Sequence, residues 1–511
     1  MSDWAAGYTT DVGYTYGYYG ELNPLRARLA LLSAGLAAPK FDAACELGFG
    51  QGLSANIHSA ASATQWYGTD FNPAHAGFAI ELAEASGAGA KLFEDAFADF
   101  AERRDLPDFD FIGLHGIWTW ISDANRSIIV DFVRRKLTPG GVLYISYNTL
   151  PGWAALTPIR HLLAEHAALA GAKGQGIVPR ADAALAFAEK LLEANPAYAR
   201  ANPQVAERLK QIKEQNRNYL AHEYFNRDWL PMHFGTMAQW LAPAKVSYAC
   251  SAHYPDHIDA INLTGDQQAF MAGIPDPLLR ETVRDYMINQ QFRRDYWVKG
   301  ARRLSVLEQA EAMRAQAVIL TSPRRDVPLK VKAALGEANL LEAIYTPILD
   351  VLADHKPRTI GRIAEAVASH GVAPNQVFQA AFLLAGAGQV ALMQDEATIG
   401  KAAKQTDKLN AYLLDKARGS SDLSFLASPV IGGGMFVGRI PQLFALARSQ
   451  GRKQPADWVD FVWNTLKAQG QRLIKDGKML ETDDENLAEL KAQADTFADA
   501  QLPILRALQI A

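Results

Sequence analysis

Short apolar runs alternate with helix-period segments from Phe41 to Tyr147. The segments between the runs, for example 72–85 and 126–136, carry apolar residues at helical spacing. Pro139-Gly140-Gly141 ends the last of these helices and turns the chain into a strand. This alternation predicts a parallel βαβ sheet. The five predicted strands are Ala43–Leu47, Gln65–Thr69, Lys91–Phe93, Phe109–Leu114 and Val142–Tyr147.

The pattern changes after residue 153, where an Ala-rich stretch with apolar residues at helical spacing predicts a helical insertion over 154–218. A helix at 234–241 and strands at 245–249 and 258–263 follow, so we expect the sheet to close near residue 265. The predicted fold is α/β, with a Rossmann-like sheet of seven strands.

Helical segments predominate beyond residue 265. Residues 266–318 look helical and charged, 347–393 is typical of a small winged-helix unit, and 401–511 is mainly helical. Since winged helices also serve in packing and dimerisation, and this one is not strongly basic, we expect such a structural role, with a homodimer as one form of it. The predicted domains are 1–153, 154–218, 219–318, 319–400 and 401–511.

The composition of the chain limits which binding partners and which cellular compartment we expect. Hydrophobic residues make up 49% of the chain and the net charge is -4, which lacks the basic surplus expected of a nucleic-acid-binding protein. Cys45 and Cys250 have no zinc or disulfide spacing, so we expect a reducing cytoplasm. Residues 1–10 lack an export signal, and no run approaches 18 apolar residues, so membrane insertion is not expected.

The first predicted strand ends in a glycine-rich loop that runs from Glu46 to Gly52, with glycines at 48, 50 and 52. Glycines allow a tight turn and close approach of the backbone to a ligand, and Glu46 can accept a hydrogen bond from an ammonium group. A dinucleotide fold would show G-x-G-x-x-G instead. The loop therefore predicts S-adenosylmethionine (SAM) as cofactor and S-adenosylhomocysteine as product.

Two further acids end the next two strands. Asp70 lies 20 residues beyond Gly50, where a carboxylate can bind both ribose hydroxyls, and Asp95, followed by Ala96, can accept a bond from the adenine amino group. A helix cap or an exposed loop acid is the alternative for each residue alone, but all three acids fall at the same edge of the sheet.

His115-Gly116-Ile117-Trp118-Thr119-Trp120 follows the fourth strand, at the position between cofactor and acceptor. In-line methyl transfer needs alignment and exclusion of water, which aromatic walls provide. Trp118, Trp120, Tyr147 and Trp153 are candidates for an acceptor channel, with core packing as the alternative for Trp120 and Trp153. His115, a predicted cofactor contact, is either a general base or a packing residue, and packing is favoured.

Two other chemistries lack support in the sequence. No Asn- or Asp-Pro-Pro-Tyr/Phe sequence follows the fourth strand, which disfavours methylation of an adenine or amide nitrogen by that motif. His253 and His257 flank Pro255 without the remaining residues of a metal motif, so we predict no metal and place both on the surface.

Several motifs together resemble bacterial methyltransferases that carry a methyltransferase regulatory domain. They are Tyr8-Thr-Thr-Asp-Val-Gly-Tyr14, Pro24 and Arg26, the loop Glu46 to Gly52, His115-Gly-Ile-Trp118, Ser146-Tyr-Asn-Thr-Leu-Pro-Gly-Trp153, and the block from His222-Glu-Tyr-Phe-Asn226 to Phe292-Arg-Arg-Asp295. The C-terminal part is similar, more loosely, to rickettsial-type protein-lysine methyltransferases, which methylate surface proteins. The resemblance implies a protein acceptor, with envelope proteins as one class.

One departure concerns the N-terminal segment, where the family has Thr-His before the proline and this chain has Leu22-Asn23. Since that segment lies over the cofactor in the family, acceptor choice is expected to differ. Tyr14, Tyr16, Tyr18 and Tyr19 predict a lid over the site, with a packed N-terminal arm as the alternative.

Three functions follow from these observations. The leading one is a protein-lysine N-methyltransferase that acts by in-line methyl transfer. A small-molecule or glycan methyltransferase would need a closed pocket rather than an open groove leading to Trp118, and a SAM-binding regulatory or scaffold protein is the third. The candidate catalytic residues are His115, Trp118 and Tyr147, and the candidate substrate contacts are Tyr14, Tyr19, Trp118, Trp120, Asn148 and Trp153.

Overall fold

The computed structural model describes residues 7–10, 12–171 and 174–511. Asp11, part of the N-terminal run quoted above, lies outside these ranges, as do residues 1–6 of the segment considered for an export signal. Within the described ranges, none of the helices combines the length and the apolar character needed to cross a bilayer.

A seven-stranded sheet forms the centre of the molecule, in the order β3-β2-β1-β4-β5-β7-β6. Strands β1 to β5 pair in parallel, whereas β7 is antiparallel to both β5 and β6. The strands are β1 Ala43–Leu47, β2 Gln65–Thr69, β3 Lys91–Phe93, β4 Phe109–Leu114, β5 Leu137–Asn148, β6 Val246–Ser251 and β7 Phe292–Lys299. This confirms the predicted fold class.

Helices cover both faces of the sheet, because successive strand residues point to opposite sides. Ala44 of β1 joins the core beneath one layer of helices, whereas its neighbours Cys45 and Leu47 join the core on the other face. Helix α1 Pro24–Ser33 precedes β1, and the helices between the first five strands are α2 Leu53–Ala61, α3 Pro73–Ser86, α4 Phe97–Glu102 and α5 Asp123–Lys136.

Five helices follow β5. They are α6 Thr157–Leu169, α7 Ile177–Glu193, α8 Ala197–Ala201, α9 Gln204–Lys213 and α10 Arg217–Tyr224. Of these, α6 to α9 lie within the predicted helical insertion, 154–218, and α10 extends beyond it. Helix α11, Phe234–Leu241, then leads into β6, and α12 Asp259–Asn262, α13 Gly265–Ala272 and α14 Pro277–Met287 separate β6 from β7.

The predicted strand at 258–263 is wrong, and the last strand of the sheet lies instead at 292–299. Ile258 and Ile261 are apolar because they pack against the core of the next domain, not because they pair in a sheet. The predicted surface position of His257 is also wrong. Its ring is half-buried beside Phe382, and its Nε2 lies 2.7 Å from the carbonyl oxygen of Ser251.

A winged-helix-like unit follows the sheet. Three helices surround a small sheet of order β11-β8-β12, so β8 joins the unit although it precedes the predicted segment 347–393. The elements are α15 Val306–Ala315, β8 Ala317–Leu320, β9 Lys330–Ala333, β10 Gly336–Asn339, α16 Glu342–Leu352, β11 Arg358–Thr359, α17 Ile360–Val367, α18 Pro374–Gly386 and β12 Val390–Leu392.

The C-terminal helices share a core with helices α2 and α3, which flank the central sheet. Leu53 and Ile57 of α2 are buried in the same cluster as Leu409 and Leu413 of the C-terminal segment. The elements are α19 Glu396–Lys416, β13 Phe425–Ser428, β14 Gly433–Phe436, α20 Arg439–Ser449, α21 Pro455–Lys467, β15 Ile474–Lys475, β16 Lys478–Met479, α22 Asp483–Thr496 and α23 Leu502–Ala507. The C-terminal segment thus packs against helix α2, which follows the glycine-rich loop.

Candidate active site

A cavity of about 180 Å³ opens at the carboxyl edge of the sheet, where ligands bind in open α/β folds. The ends of β1, β2, β3 and β4 form its floor, and the N-terminal segment covers it. The residues that line it are Tyr8, Tyr14, Tyr19, Glu46, Gly48, Phe49, Gly50, Asp70, Phe71, His75, Asp95, Ala96, Phe97, His115, Gly116, Ile117, Trp120, Ile121, Ser122, Asn125 and Asp228.

The glycine-rich loop takes a backbone conformation that other residues rarely adopt. Gly48, Gly50 and Gly52 have φ angles of 72°, 58° and 69°. A Cβ atom on Gly48 would lie 2.4 Å from Cδ1 of Ile117, and one on Gly52 would lie 2.4 Å from Cβ of Ala79. Gly48 and Gly50 line the cavity, whereas Gly52 is the N-cap residue of α2.

Glu46 is the charged group buried deepest at the cavity floor. Its side chain is only 2% exposed, and among the described residues its Oε2 has no hydrogen-bond partner. Burial, together with the nearby charge of Asp70, raises the pKa of Glu46 to about 8. A buried carboxylate oxygen without a partner is costly, so Glu46 is prepared to accept a hydrogen bond from a positively charged donor in the cavity.

Asp70 holds the glycine-rich loop as well as lining the cavity. Its Oδ2 accepts a hydrogen bond of 2.8 Å from the backbone N–H of Gly50, and its Oδ1 accepts one of 3.0 Å from Asn72. Each carboxylate oxygen has a second lone pair, so Asp70 can still accept bonds from a ligand.

Asp95 and Ala96 lie at the end of β3, and both line the cavity. Oδ2 of Asp95 accepts a bond of 3.1 Å from Nη1 of Arg103, whose guanidinium lies over the Phe93 ring. This ion pair fixes the direction of Asp95. The three acids predicted from the sequence therefore meet at one edge, as parallel strands require.

His115 forms part of the cavity wall, between two tyrosines. Its ring stacks on Tyr19 with centroids 3.6 Å apart, and its Nδ1 shares a hydrogen bond of 2.8 Å with the Tyr144 hydroxyl. Burial lowers the pKa of His115 to about 4. The imidazole is therefore neutral at neutral pH and a weak proton acceptor, which favours a packing role over general base catalysis.

Three of the predicted aromatic residues do not line the cavity, which corrects the sequence-based assignment. Trp118 is fully buried and its Nε1 lies 3.3 Å from Sδ of Met232. Tyr147 is fully buried and donates a hydrogen bond of 2.9 Å to Asp295, and Trp153 packs inside the helical insertion. Core packing accounts for these rings, because the alternation along β5 and the turn after β4 direct them away from the sheet edge.

The predicted acceptor contacts Trp120 and Asn148 differ in position, because Asn148 does not line the cavity. Trp120 lines the cavity, and its Nε1 donates a hydrogen bond of 3.1 Å to the carbonyl oxygen of Glu223. Asn148 is buried at the end of β5, and its Nδ2 lies 3.4 Å from Oε1 of Glu223.

The N-terminal segment covers the cavity through Tyr14 and Tyr19. Nε2 of Gln51 donates to the carbonyl oxygen of Tyr14 at 3.2 Å, and the backbone N–H of Tyr19 donates to Oγ of Ser54 at 2.9 Å. Tyr16 and Tyr18 point elsewhere: Tyr16 contacts Phe78, and the Tyr18 hydroxyl accepts a bond from Gly434.

Helix α10 and the residues after it fasten this segment from the other side. Nε2 of His222 donates to the carbonyl oxygen of Val12 at 3.0 Å, and Oδ1 of Asn226 accepts a bond of 2.8 Å from Thr9. The His222 ring also contacts Tyr8 and Tyr14, with centroids 5.5 and 5.1 Å away.

Leu22 and Asn23, which depart from the family pattern, do not line the cavity. Leu22 is fully buried, and the Asn23 side chain caps α1 by accepting a bond from Leu25. Its Nδ2 also donates to the carbonyl oxygens of Ile431 and Gly432. Asn23 therefore joins α1 to the C-terminal helices, and we see no direct path from this departure to acceptor choice.

Sequence reasoning missed several cavity residues. They include Tyr8, Phe71, His75, Phe97 and Ile117, as well as Glu223 beside the cavity. Tyr8 and Glu223 fell inside motifs used for the family resemblance, which is the signal that pointed to them. Ile117 also lies inside a quoted motif, His115-Gly-Ile-Trp118, whereas Phe71, His75 and Phe97 come just beyond strand ends and have no distinctive spacing.

Comparisons with known proteins agree with this geometry. Residues 216–299 match the family model described as "Predicted methyltransferase regulatory domain". The chain is 41% identical over 512 residues to the Synechocystis protein sll1526, covering 99% of each chain. It has the fold of PKMT2 from Rickettsia typhi, solved in complex with AdoHcy, at a TM-score of 0.70 and 16% identity, covering 98% of this chain and 100% of that one.

The sheet order and the glycine-rich loop define the class I methyltransferase fold. The chain belongs to the family of class I SAM-dependent methyltransferases that carry a methyltransferase regulatory domain. Helices α10 to α14 and strands β6 and β7 lie within that regulatory domain, residues 216–299, so the domain contributes strands to the catalytic sheet.

Proposed function

We propose that this enzyme binds SAM in the cavity and transfers its methyl group to lysine side chains of a protein acceptor. The observation that carries the proposal is the buried, unpartnered Oε2 of Glu46 beside a loop of positive-φ glycines. Both features fit the amino acid part of SAM. Its ammonium group needs a hydrogen-bond acceptor, and its carbon chain must come close to the backbone of the loop.

Different residues of the cavity would bind different parts of the cofactor. Glu46 would accept from the amino group, Asp70 would bind the ribose hydroxyls, and Asp95 with Ala96 would hold the adenine edge. Gly48 and Gly50 leave room for the chain that joins these parts. We call these six residues the cofactor side. When bound, SAM supplies an electrophilic methyl group on a sulfonium.

The chain's own residues provide alignment and exclude water. Tyr14, Tyr19 and His115 form an apolar wall next to the glycine-rich loop, and buried aromatic rings tolerate a sulfonium against their faces. The likeness of the whole chain to PKMT2, and the sequence resemblance to rickettsial-type protein-lysine methyltransferases, support a lysine acceptor.

Calorimetric titration tests the cofactor. SAM and S-adenosylhomocysteine are titrated into the wild type, into Asp70→Ala, and into Asp99→Ala as a control, since Asp99 is exposed on α4. We expect binding by the wild type and the control, and a loss of about 100-fold or more in Asp70→Ala, which loses ligand bonds and the anchor of Gly50. A folded wild type that binds neither ligand would refute the proposal.

Turnover tests the acceptor. Methyl transfer from labelled SAM to proteins of a bacterial envelope fraction, followed by identification of methylated residues, should give methyl-lysine. Label found in small molecules or glycans would instead support the second reading from the sequence. Tight cofactor binding with no transfer to any fraction would support a regulatory or scaffold protein.

A further inference from the structure

Glu223, on α10 of the regulatory domain, lies where three elements meet beside the cavity. Its carbonyl oxygen accepts from Trp120, and its Oε1 lies 3.4 Å from Nδ2 of Asn148 at the end of β5. The preceding residue, His222, contacts the ring of Tyr14 in the N-terminal segment. Glu223 is not itself a lining residue, but it is half-buried and adjoins Trp120 and the N-terminal segment, both of which line the cavity.

The carboxylate of Glu223 lacks a cationic partner. Among the described residues, no Lys, Arg or His forms an ion pair with it, and Arg160 is the positive charge near enough to act on it. The guanidinium of Arg160 instead donates to the carbonyl oxygen of Asn226 and lies over the Trp229 ring. A partly buried carboxylate without an ion-pair partner is costly in an apolar setting.

The groups that face Glu223 are mostly neutral hydroxyls. Burial raises the pKa of Glu223 to about 7, against the opposing influence of Asn148 and Arg160. The surrounding tyrosines have pKa values raised by burial and by the Glu223 charge, so they stay protonated. They are Tyr8, Tyr14 and Tyr19 of the N-terminal segment, and Tyr219 and Tyr224 of α10.

A carboxylate among neutral aromatic rings is suited to a primary ammonium group. The carboxylate accepts two or more of its N–H bonds, and ring faces attract the remaining charge. A hydroxyl or amide acceptor would leave the negative charge unbalanced. The site therefore discriminates by charge as well as by shape.

We infer that Glu223 binds the ammonium group of the methyl acceptor and accepts the proton that this nitrogen must lose before it attacks the methyl group, so that the regulatory domain selects primary amines as substrates. This inference rests on the proposed function, and it deepens that function by naming the subsite. We call Trp120, Asn148 and Glu223, with Tyr14 and Tyr19, the acceptor side of the cavity.

Binding of n-butylammonium, which carries the end of a lysine side chain, tests the subsite without an identified acceptor. It is titrated into protein saturated with S-adenosylhomocysteine, for the wild type, Glu223→Gln, Glu223→Asp and Glu207→Gln. Glu207 is an exposed residue of α9 in the same region, and Glu223→Gln keeps the shape of the side chain.

We expect Glu223→Gln to weaken n-butylammonium binding by about tenfold or more, with Glu223→Asp in between and Glu207→Gln like the wild type. Affinity for S-adenosylhomocysteine should change by less than about twofold in all three variants, because the cofactor side is intact. Neutral n-butanol should not distinguish the variants. In the wild type, n-butylammonium affinity should fall as pH drops below about 7, and Glu223→Gln should remove that dependence.

Equal binding of n-butylammonium by the wild type and Glu223→Gln, or no binding by a wild type that holds S-adenosylhomocysteine, would overturn the inference alone. A wild type that does not bind S-adenosylhomocysteine would overturn the proposed function, and the inference with it. The first titration of each series separates these two failures.

Discussion

The cofactor side of the cavity comes from residues 46–96, whereas the acceptor side joins segments up to about two hundred residues apart. Glu46, Gly50 and Asp70 sit in one βαβ unit, and Asp70 bonds Gly50 directly. On the acceptor side, His222 reaches Val12 across 210 positions of sequence. One side therefore depends on local backbone geometry, and the other on the packing of the regulatory domain against the N-terminal segment.

The two sides of the cavity therefore differ in how many substitutions they tolerate. A local loop with three positive-φ glycines tolerates few substitutions, because each glycine meets a neighbour or a strained φ. The acceptor side is assembled from side chains on four separate elements, namely the N-terminal segment, the turn after β4, β5 and α10. Its residues can vary one at a time while the cofactor loop stays intact.

The largest expected effect comes from the cofactor loop. Gly48→Ala places a Cβ within 2.4 Å of Ile117 at a φ of 72°, which strains the turn and moves a cavity wall. We expect a loss of SAM affinity of about 30-fold or more, measured by calorimetry. Gly77→Ala, at an unobstructed position in α3, is the control and should bind like the wild type. Unchanged affinity in Gly48→Ala would show that the loop is less constrained than its geometry indicates.

A second effect separates charge from shape at Glu46. Because the pKa of Glu46 is raised to about 8, the carboxylate is increasingly protonated as pH falls below 8. Wild-type SAM affinity should therefore weaken between pH 8.5 and 6.5, by up to about tenfold per pH unit. Glu46→Gln should bind about 10- to 100-fold more weakly at pH 8.5 and show little of this dependence. A pH-independent wild type would contradict the proposed contact.

A smaller effect is expected at His222, which lies next to the acceptor side and holds the N-terminal segment. His222→Ala removes the bond to Val12 and two ring contacts, so the cover over the cavity should open more readily. We expect SAM to dissociate about three- to tenfold faster in stopped-flow measurements. His370→Ala, at an exposed position, should leave the rate unchanged. A dissociation rate equal to that of the wild type would mean that the segment does not need this anchor.

The smallest expected effect is a change in stability that leaves both sides of the cavity unaffected. Asn23→Ala removes the cap of α1 and the bonds to Ile431 and Gly432. We expect a loss of about 1 kcal/mol in the free energy of unfolding, seen in denaturant titration, with SAM affinity unchanged. A large change in affinity would show that the C-terminal helices influence the site through α1.

The sequence predicted β1 to β4 with their observed bounds, because these depend on short-range patterns, whereas β5 begins at Leu137 rather than at the predicted Val142. The sequence missed β7, whose sequence Phe292–Lys299 carries four charged residues that disguise a buried strand. Arg293 is buried there because Asp285, Asp295 and Glu281 surround its guanidinium within 2.9 Å. A charge cluster of this kind forms only when α14 packs against β7, so no local sequence pattern predicts it.

The aromatic residues show the same limit. Trp118 and Trp120 are two positions apart in one turn, yet one is in the core and the other lines the cavity. Residue type suggested an acceptor wall for both, but only the direction of each side chain in the folded turn decides between the two roles. Glu223 was overlooked for the opposite reason, since an acidic residue in a helix is usually exposed.

The core that α2 shares with the C-terminal helices affects how the protein matures as it is synthesised. The Gln394 side chain bonds the carbonyl oxygen of Ala61, 333 residues earlier, and apolar residues of α19 cover the back of α2. While the ribosome is still producing the later segment, the helix that follows the cofactor loop has an uncovered apolar face. The nascent chain should therefore acquire cofactor affinity late, and a chaperone that shields this face during translation would raise the yield of active enzyme.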